Sequence, residues 1–226
     1  MSAATVLAVA NSTDLDSGYV GERFVQRGYA LRQVLRDHGE TPSVVPRGTA
    51  VLLLLGSDWS VAHPVDETAL QRECSLVRSA QQHGIPALGL CYGAQVVAHA
   101  TGGRVTCAAQ PEVGLVAVDS VDERRVPTGP WWAFHHDVIA PPPGAELLAR
   151  NGCGLQAFSL PGVLGVQFHP EVLPETLDDW LTRFPDMLAA AGGDKGALVQ
   201  EARRREQQAR TAAHRLVDGF LDRVAG

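Results

Sequence analysis

At 226 residues the chain is long enough for one sizeable hydrophobic core. A net charge of −6, with 19% of residues charged, argues against a nucleic-acid binder. Four cysteines without a C-x-x-C pair exclude the usual zinc and redox motifs, the apolar run at 3–10 has no basic start, and no apolar segment approaches the roughly 20 residues of a membrane helix, so a cytoplasmic, reduced, soluble protein away from membranes is the default expectation.

In chain order, residues 5–10 (TVLAVA) read as a first strand and 11–19 as a polar loop, either a binding loop or a solvated connector. Phe24, Tyr29, Leu31, Val34 and Leu35 recur at helical spacing, which predicts a helix over 22–38 with Gly39 as its C-cap. A short strand is expected at 43–45. A second strand, 51–55 (VLLLL), is apolar throughout, as in a parallel sheet covered on both faces. Gly56-Ser57-Asp58 follows it. A glycine there can turn a backbone N–H into a site, as half of an oxyanion hole, or can simply permit a turn. Leu70, Cys74, Val77 and Ala80 predict a helix over 66–83, with Cys74 a small core residue.

Residues 85–101 (IPALGLCYGAQVVAHAT) stand out. An apolar strand, 85–90, runs into Gly89-Leu90-Cys91-Tyr92-Gly93, and a helix is expected over 94–100. A reactive side chain flanked by glycines at a sharp strand-to-helix turn is the pattern of a nucleophile elbow. The unpaired N–H groups and partial positive charge of the helix start favour a thiolate at Cys91. Beyond it, strands are expected at 104–107 and 113–118 with Gln110-Pro111-Glu112 turning between them, and 121–130 reads as a charged surface loop.

Trp131-Trp132-Ala133-Phe134-His135-His136-Asp137 has the composition of a site wall; a metal role is disfavoured because no further ligand has helical spacing. Strands follow at 146–150, 155–160 and 163–168. Gln167-Phe168-His169-Pro170-Glu171 then sets a histidine at a strand end with a carboxylate two residues on, the parts of a general base and its orienting group. Helices close the chain at 175–191 and 195–224, separated by Gly192-Gly193. Leu216, Val217, Phe220, Leu221 and Val224 form an apolar stripe that either packs on its own domain or serves a dimer or partner.

The motif Gly89-Leu90-Cys91-Tyr92-Gly93-Ala94-Gln95 resembles the nucleophile motif of the class I glutamine amidotransferases, and Val166-Gln167-Phe168-His169-Pro170-Glu171 resembles their base-and-acid motif. The stretch from Trp132 to Asp137 is similar to the Trp-Met-Ser-His-Gly-Asp block of the GMP-synthetase-like glutaminase branch. The resemblance implies a flavodoxin-like α/β three-layer sandwich around a mostly parallel sheet over 1–190, with a C-terminal helical extension, 191–226, packed on it. It implies Cys91 as the nucleophile, His169 as the base and Glu171 as its orienter, with backbone N–H groups of Tyr92 and of Gly56 or Ser57 as the oxyanion hole. Gln95 and the block at Phe134, His135 and His136 would bind substrate, and no metal or cofactor is called for.

The sequence departs from the family pattern at Ser57, which replaces a second glycine, and at Phe134 and His136, which are bulkier than usual. Three functions follow. One is glutamine hydrolysis, with ammonia passed to a separate synthetase. Another is hydrolysis of a different γ-glutamyl amide, peptide or hydroxamate. The third is a non-catalytic regulatory or scaffold role. Under any of them, a separate synthetase or a second copy of the chain is the expected protein partner.

Overall fold

Val, Leu and Ala runs with no polar face need cover on both sides, and the fold supplies it. The computed structural model describes residues 3–224. The elements in order are β1 (Thr5–Ala10), α1 (Gly18–Gln26), β2 (Ala30–Leu35), β3 (Thr49–Leu54), α2 (Glu67–Gln82), β4 (Ala87–Leu90), α3 (Tyr92–Ala100), β5 (Arg104–Val116), β6 (Asp119–Ser120), β7 (Trp131–Ala140), β8 (Glu146–Arg150), β9 (Leu155–Leu160), β10 (Val163–Val166), α4 (Pro174–Arg183), α5 (Pro185–Ala190) and α6 (Lys195–Val224). Eight strands form one sheet in the order β2-β1-β3-β4-β10-β9-β8-β6. The pairs from β2 to β10 are parallel and those from β10 to β6 antiparallel. This is a flavodoxin-like α/β fold with a C-terminal helix.

Strand alternation divides the core into two layers. Val6, Ala8, Ala10, Val51, Leu53 and Leu55 face one side with Val20 and Phe24 of α1 and Leu216, Val217, Phe220 and Leu221 of α6. Leu7, Val9, Leu52 and Leu54 face the other, against α2 and α3. The apolar stripe of α6 is therefore buried within the chain; the side chain of Val224 lies outside the described residues.

Several elements differ from the sequence expectation. The expected helix over 22–38 is split: α1 stops at Gln26, Gly28 turns the chain at φ 86°, and β2 pairs with β1. As an edge strand β2 is mostly exposed, so it lacks the alternation that would distinguish it from a helix. Residues 43–45 form no strand. The two strands expected around Gln110-Pro111-Glu112 are one strand, β5, whose register shifts between Cys107 and Glu112 as it pairs with β7 in a separate ribbon. A bulge there accommodates Pro111, which has no N–H to give to a ladder. In the loop 121–130, Arg125 and Val126 are buried. The helix expected over 175–191 breaks at Pro185, where α5 begins.

Candidate active site

The site lies beyond the carboxyl ends of three neighbouring strands, where open α/β sheets bind their ligands. Leu90, the last residue of β4, is level with Val166 at the end of β10, and Gly89 is level with Leu54 at the end of β3. Three segments distant in sequence therefore leave the sheet side by side: Gly56-Ser57 after β3, Cys91 after β4, and His169 to Glu171 after β10.

Cys91 is the one non-glycine residue with positive φ among the described residues (φ 48°, ψ −110°). Such a conformation costs on the order of 1–3 kcal/mol and persists only where its surroundings impose it. Here the Cys91 N–H donates to the Val166 carbonyl at 2.8 Å, while α3 starts at once with Tyr92. Close packing requires Gly93, because a Cβ at that position would overlap the Leu54 carbonyl. The turn thus presents the thiol at the head of a helix whose first N–H groups have no helical acceptor.

His169 is held at both ends. Its backbone N–H donates to the Trp132 carbonyl at 2.7 Å, and its Nδ1 meets Glu171 Oε1 at 2.7 Å. That hydrogen bond fixes the tautomer with the proton on Nδ1, and leaves Nε2, which is buried without a hydrogen-bond partner, for chemistry. Trp180 covers the ring edge-on at 4.7 Å between centroids. Burial by itself would lower the His169 pKa. The neighbouring Cys91 and Glu171 charges more than reverse this and hold it well above the ordinary 6.5. Glu171 is in turn fixed by its main chain, whose carbonyl accepts from the Tyr19 N–H at 3.1 Å.

Around the sulfur, Gln167 Nε2 lies 3.5 Å from Cys91 Sγ, and the Phe134 carbonyl oxygen lies 3.9 Å from it. Gln95 is buried and leaves its Oε1 unpartnered. A cavity of about 320 Å³ opens over these groups, with Ser57, Trp59, Phe134, His136, Trp180 and Phe184 in its wall. Alternation along β7 puts Phe134 and His136 on one face and His135 on the other. His135 also borders the cavity, but its ring nitrogens are engaged by Glu112 Oε2 at 2.9 Å and the Asp137 carbonyl at 3.0 Å.

The loop after β3 is fastened to the opposite wall. Ser60 Oγ donates to Asp137 Oδ2 at 2.6 Å. Ser57 Oγ accepts from the Trp59 N–H at 3.0 Å, so the serine that departs from the family's glycine stabilises its own turn. Cys91 and His169 both lie close to Gly56: a Cβ there would sit 2.8 Å from His169 Cε1 and 3.7 Å from Cys91 Cβ.

The sequence-assigned residues Gly56, Ser57, Cys91, Tyr92, Gln95, Phe134, His135, His136, His169 and Glu171 are thus brought to one end of the sheet. Sequence reasoning gives no site role to Gln167, Trp180 or Arg36. The place of Gln167 within the histidine motif is a signal that could have found it. Trp180 lies in a helix whose sequence shows only periodicity. Arg36 is hidden in the helix expected over 22–38. Among the described residues no group of three or more His, Cys, Asp or Glu is placed to hold a metal ion, and no helix is long and apolar enough to cross a membrane.

A strained cysteine elbow and a buried histidine–carboxylate pair at the ends of neighbouring parallel strands are the arrangement of an α/β protein with a cysteine-nucleophile type of site. Comparison with known proteins identifies the family. The model of the class-I glutamine amidotransferases matches residues 61–184, over half of the chain, and the chain belongs to that family of cysteine-dependent glutamine amidotransferases.

Relatives narrow the branch. A protein of Thermococcus kodakarensis, described as one subunit of a glutamine-hydrolysing GMP synthase, is 37% identical over 168 residues, 67% of this chain and 86% of that one. A glutamine-hydrolysing GMP synthase of Aeropyrum pernix is 37% identical over 153 residues, 61% of this chain but 28% of that protein, so the chain spans only about a quarter of its length. A glutamine amidotransferase structure from Thermotoga maritima superposes with a TM-score of 0.85, covering 96% of this chain and 98% of that one at 23% identity, which shows the fold alone.

Proposed function

We propose that this chain hydrolyses the side-chain amide of glutamine and supplies the ammonia to a separate synthetase chain. The observation that carries the reading is the buried His169, braced by Glu171 at Nδ1 and open at Nε2 beside the strained Cys91. A histidine held beside a thiol can take its proton, and the thiolate so formed is the nucleophile.

In this mechanism the Cys91 thiolate attacks the amide carbon, and the C=O electron pair moves onto oxygen. The N–H groups of Tyr92 and Ser57 stabilise that oxyanion; losing one such donor typically costs about 2.7–4 kcal/mol of barrier. His169 Nε2–H protonates the leaving nitrogen, the C–N bond breaks, and ammonia departs from what is now a γ-glutamyl thioester. Water then gives a proton to Nε2 and attacks the thioester, and the thiolate departs with glutamate released. Gln95 Oε1, an unpartnered acceptor in the cavity wall, orients the glutamine. A synthetase partner is supported by the Sulfolobus acidocaldarius and Thermococcus kodakarensis relatives, whose names describe one subunit of a GMP synthase rather than the whole enzyme.

The test is ammonia release from free glutamine by the isolated chain, with Cys91→Ala as control. Turnover that is absent in the wild type even with a synthetase present, or retained in the variant, refutes the reading. A second reading draws on the cavity: its volume of about 320 Å³ and its aromatic wall of Trp59, Phe134, Trp180 and Phe184 leave room for a substituent on the γ-amide nitrogen. A panel of γ-glutamyl anilides, peptides and hydroxamates separates the two. If any derivative exceeds free glutamine in kcat/KM, the substrate is the derivative.

A further inference from the structure

Arg36 follows β2 directly and is completely buried. All three guanidinium nitrogens are used. Nε donates to Glu73 Oε1 at 2.6 Å. Nη1 donates to Asn11 Oδ1 at 2.5 Å and to the Gly56 carbonyl at 3.1 Å. Nη2 donates to the Leu55 carbonyl at 3.0 Å and to the Val9 carbonyl at 3.4 Å. The guanidinium also lies over the Tyr92 ring, with Cζ 4.8 Å from its centroid.

A buried arginine–carboxylate pair is a poor stabiliser, since well-packed apolar side chains commonly do as well or better. This pair even leaves Glu73 Oε2 buried without a partner. What distinguishes Arg36 is where its hydrogen bonds go. They hold the carbonyls at the ends of β1 and β3, including the peptide between Gly56 and Ser57, and its flat face supports Tyr92.

These are the two segments whose N–H groups serve as oxyanion donors in the proposed glutaminase mechanism, on which this inference rests. We infer that Arg36 is a positioning residue that presets the oxyanion hole by anchoring the Gly56 carbonyl and backing Tyr92. The Gly56–Ser57 peptide is trans, so its C=O and N–H point to opposite sides. With the carbonyl drawn onto the buried guanidinium, the Ser57 N–H is turned to the opposite side of the peptide, and Ser57 itself borders the cavity it shares with Cys91. Without Arg36 that peptide loses the hydrogen bond that orients its carbonyl, and the Ser57 N–H makes none to the protein among the described residues that would replace it. Lysine cannot reproduce the role: one ammonium cannot span Glu73, Asn11 and two carbonyls as the planar fork does.

The experiment compares wild type, Arg36→Lys and the double variant Arg36→Met/Glu73→Met, which leaves no stranded buried charge. Three quantities are read: kcat and KM for glutamine, inhibition by the γ-semialdehyde analogue, and the rate at which iodoacetamide alkylates Cys91. The aldehyde forms a thiohemiacetal whose oxygen occupies the hole. Alkylation displaces iodide at a tetrahedral carbon and develops no oxyanion.

The expected result is a fall in kcat of about 10²–10³-fold. Aldehyde affinity falls in parallel, while KM and the alkylation rate change less than about threefold. If the double variant does not fold, Arg36→Lys, which keeps the charge opposite Glu73, decides the matter. A kcat within about threefold of wild type overturns the inference. So does an alkylation rate that falls in step with kcat, since Arg36 would then act on the nucleophile. Turnover that survives Cys91→Ala is a different outcome: it removes the nucleophile reading and the inference with it.

Discussion

Two buried ion pairs flank the cysteine, and they are built to different ends. Arg36–Glu73 meets at 2.6 Å and His169–Glu171 at 2.7 Å, and all four side chains are at most slightly exposed. Arginine does not give up its proton, and here every guanidinium nitrogen is committed to a fixed acceptor. Histidine does exchange its proton, and one of its nitrogens is left uncommitted. The first pair suits a static role, holding backbone. The second suits a role in which a proton moves each turnover. Similar distance and burial do not make two ion pairs equivalent; what differs is whether the cation can titrate and whether it keeps a free valence.

The comparison can be broken most sharply at the thiol. Cys91→Ala removes the group that His169 serves, and glutaminase turnover should fall roughly 10⁴-fold or more while the circular dichroism spectrum is unchanged. Appreciable residual ammonia release would dismiss Cys91 as nucleophile. A smaller effect is expected at Glu171. Glu171→Gln keeps the shape but loses the charge, and kcat should drop about 10²- to 10⁴-fold.

The same variant makes a pH prediction. The Cys91 and Glu171 charges both raise the His169 pKa, against burial. In the wild type the imidazolium should therefore persist above pH 6.5, and a pH profile of kcat/KM should place its alkaline limb above that value. Removing the Glu171 charge removes one raising cause, so the limb should move to lower pH in Glu171→Gln. A limb that stays put, or moves up, contradicts the assignment of Glu171 as the partner of Nδ1.

The smallest effect belongs to the cavity wall. Phe134 packs on Trp180 and Phe184 at centroid distances of 5.6 and 5.9 Å, and it is its backbone carbonyl that lies 3.9 Å from Cys91 Sγ. Phe134→Leu should leave kcat for glutamine within about tenfold, and change the ratio of kcat/KM between glutamine and a γ-glutamyl anilide by a similar factor. Steady-state kinetics on both substrates read this. A collapse of kcat as deep as that of Glu171→Gln would mean that the ring itself positions the histidine.

How far the site is legible in the sequence follows the same division. The titrating pair announces itself, because thiol, imidazole and carboxylate sit in short contiguous motifs at strand ends, and their chemistry dictates their company. The static pair does not. Glu73 lies on a helix whose other positions read as apolar periodicity, and Arg36 follows an edge strand whose exposure mimics helical spacing. Long-range hydrogen bonds to backbone carbonyls leave no trace in residue type. The ribbon of β5 and β7 is half legible: its aromatic and histidine composition marks a wall, but the bulge between Cys107 and Glu112 looks like a turn because Pro111 signals both. The division of the core between α1 and α6 on one side and α2 and α3 on the other follows from strand alternation along β1 and β3.

The place of β10 in the sheet has a consequence for the chain as it leaves the ribosome. β4 pairs with β3 on one side and with β10 on the other, yet 72 residues separate the end of β4 at Leu90 from the start of β10 at Val163, counted as the intervening positions 91–162. Until those residues have been synthesised, β4 is an exposed edge, and the Val166 carbonyl that fixes the Cys91 turn does not exist. A nascent chain can lay down β1, β3 and β4 while its thiol has neither base nor elbow. On the proposed reading, the cysteine elbow is completed late in translation by the same strand that closes the parallel half of the sheet, and a truncated product ending before residue 163 lacks both the Val166 carbonyl and His169.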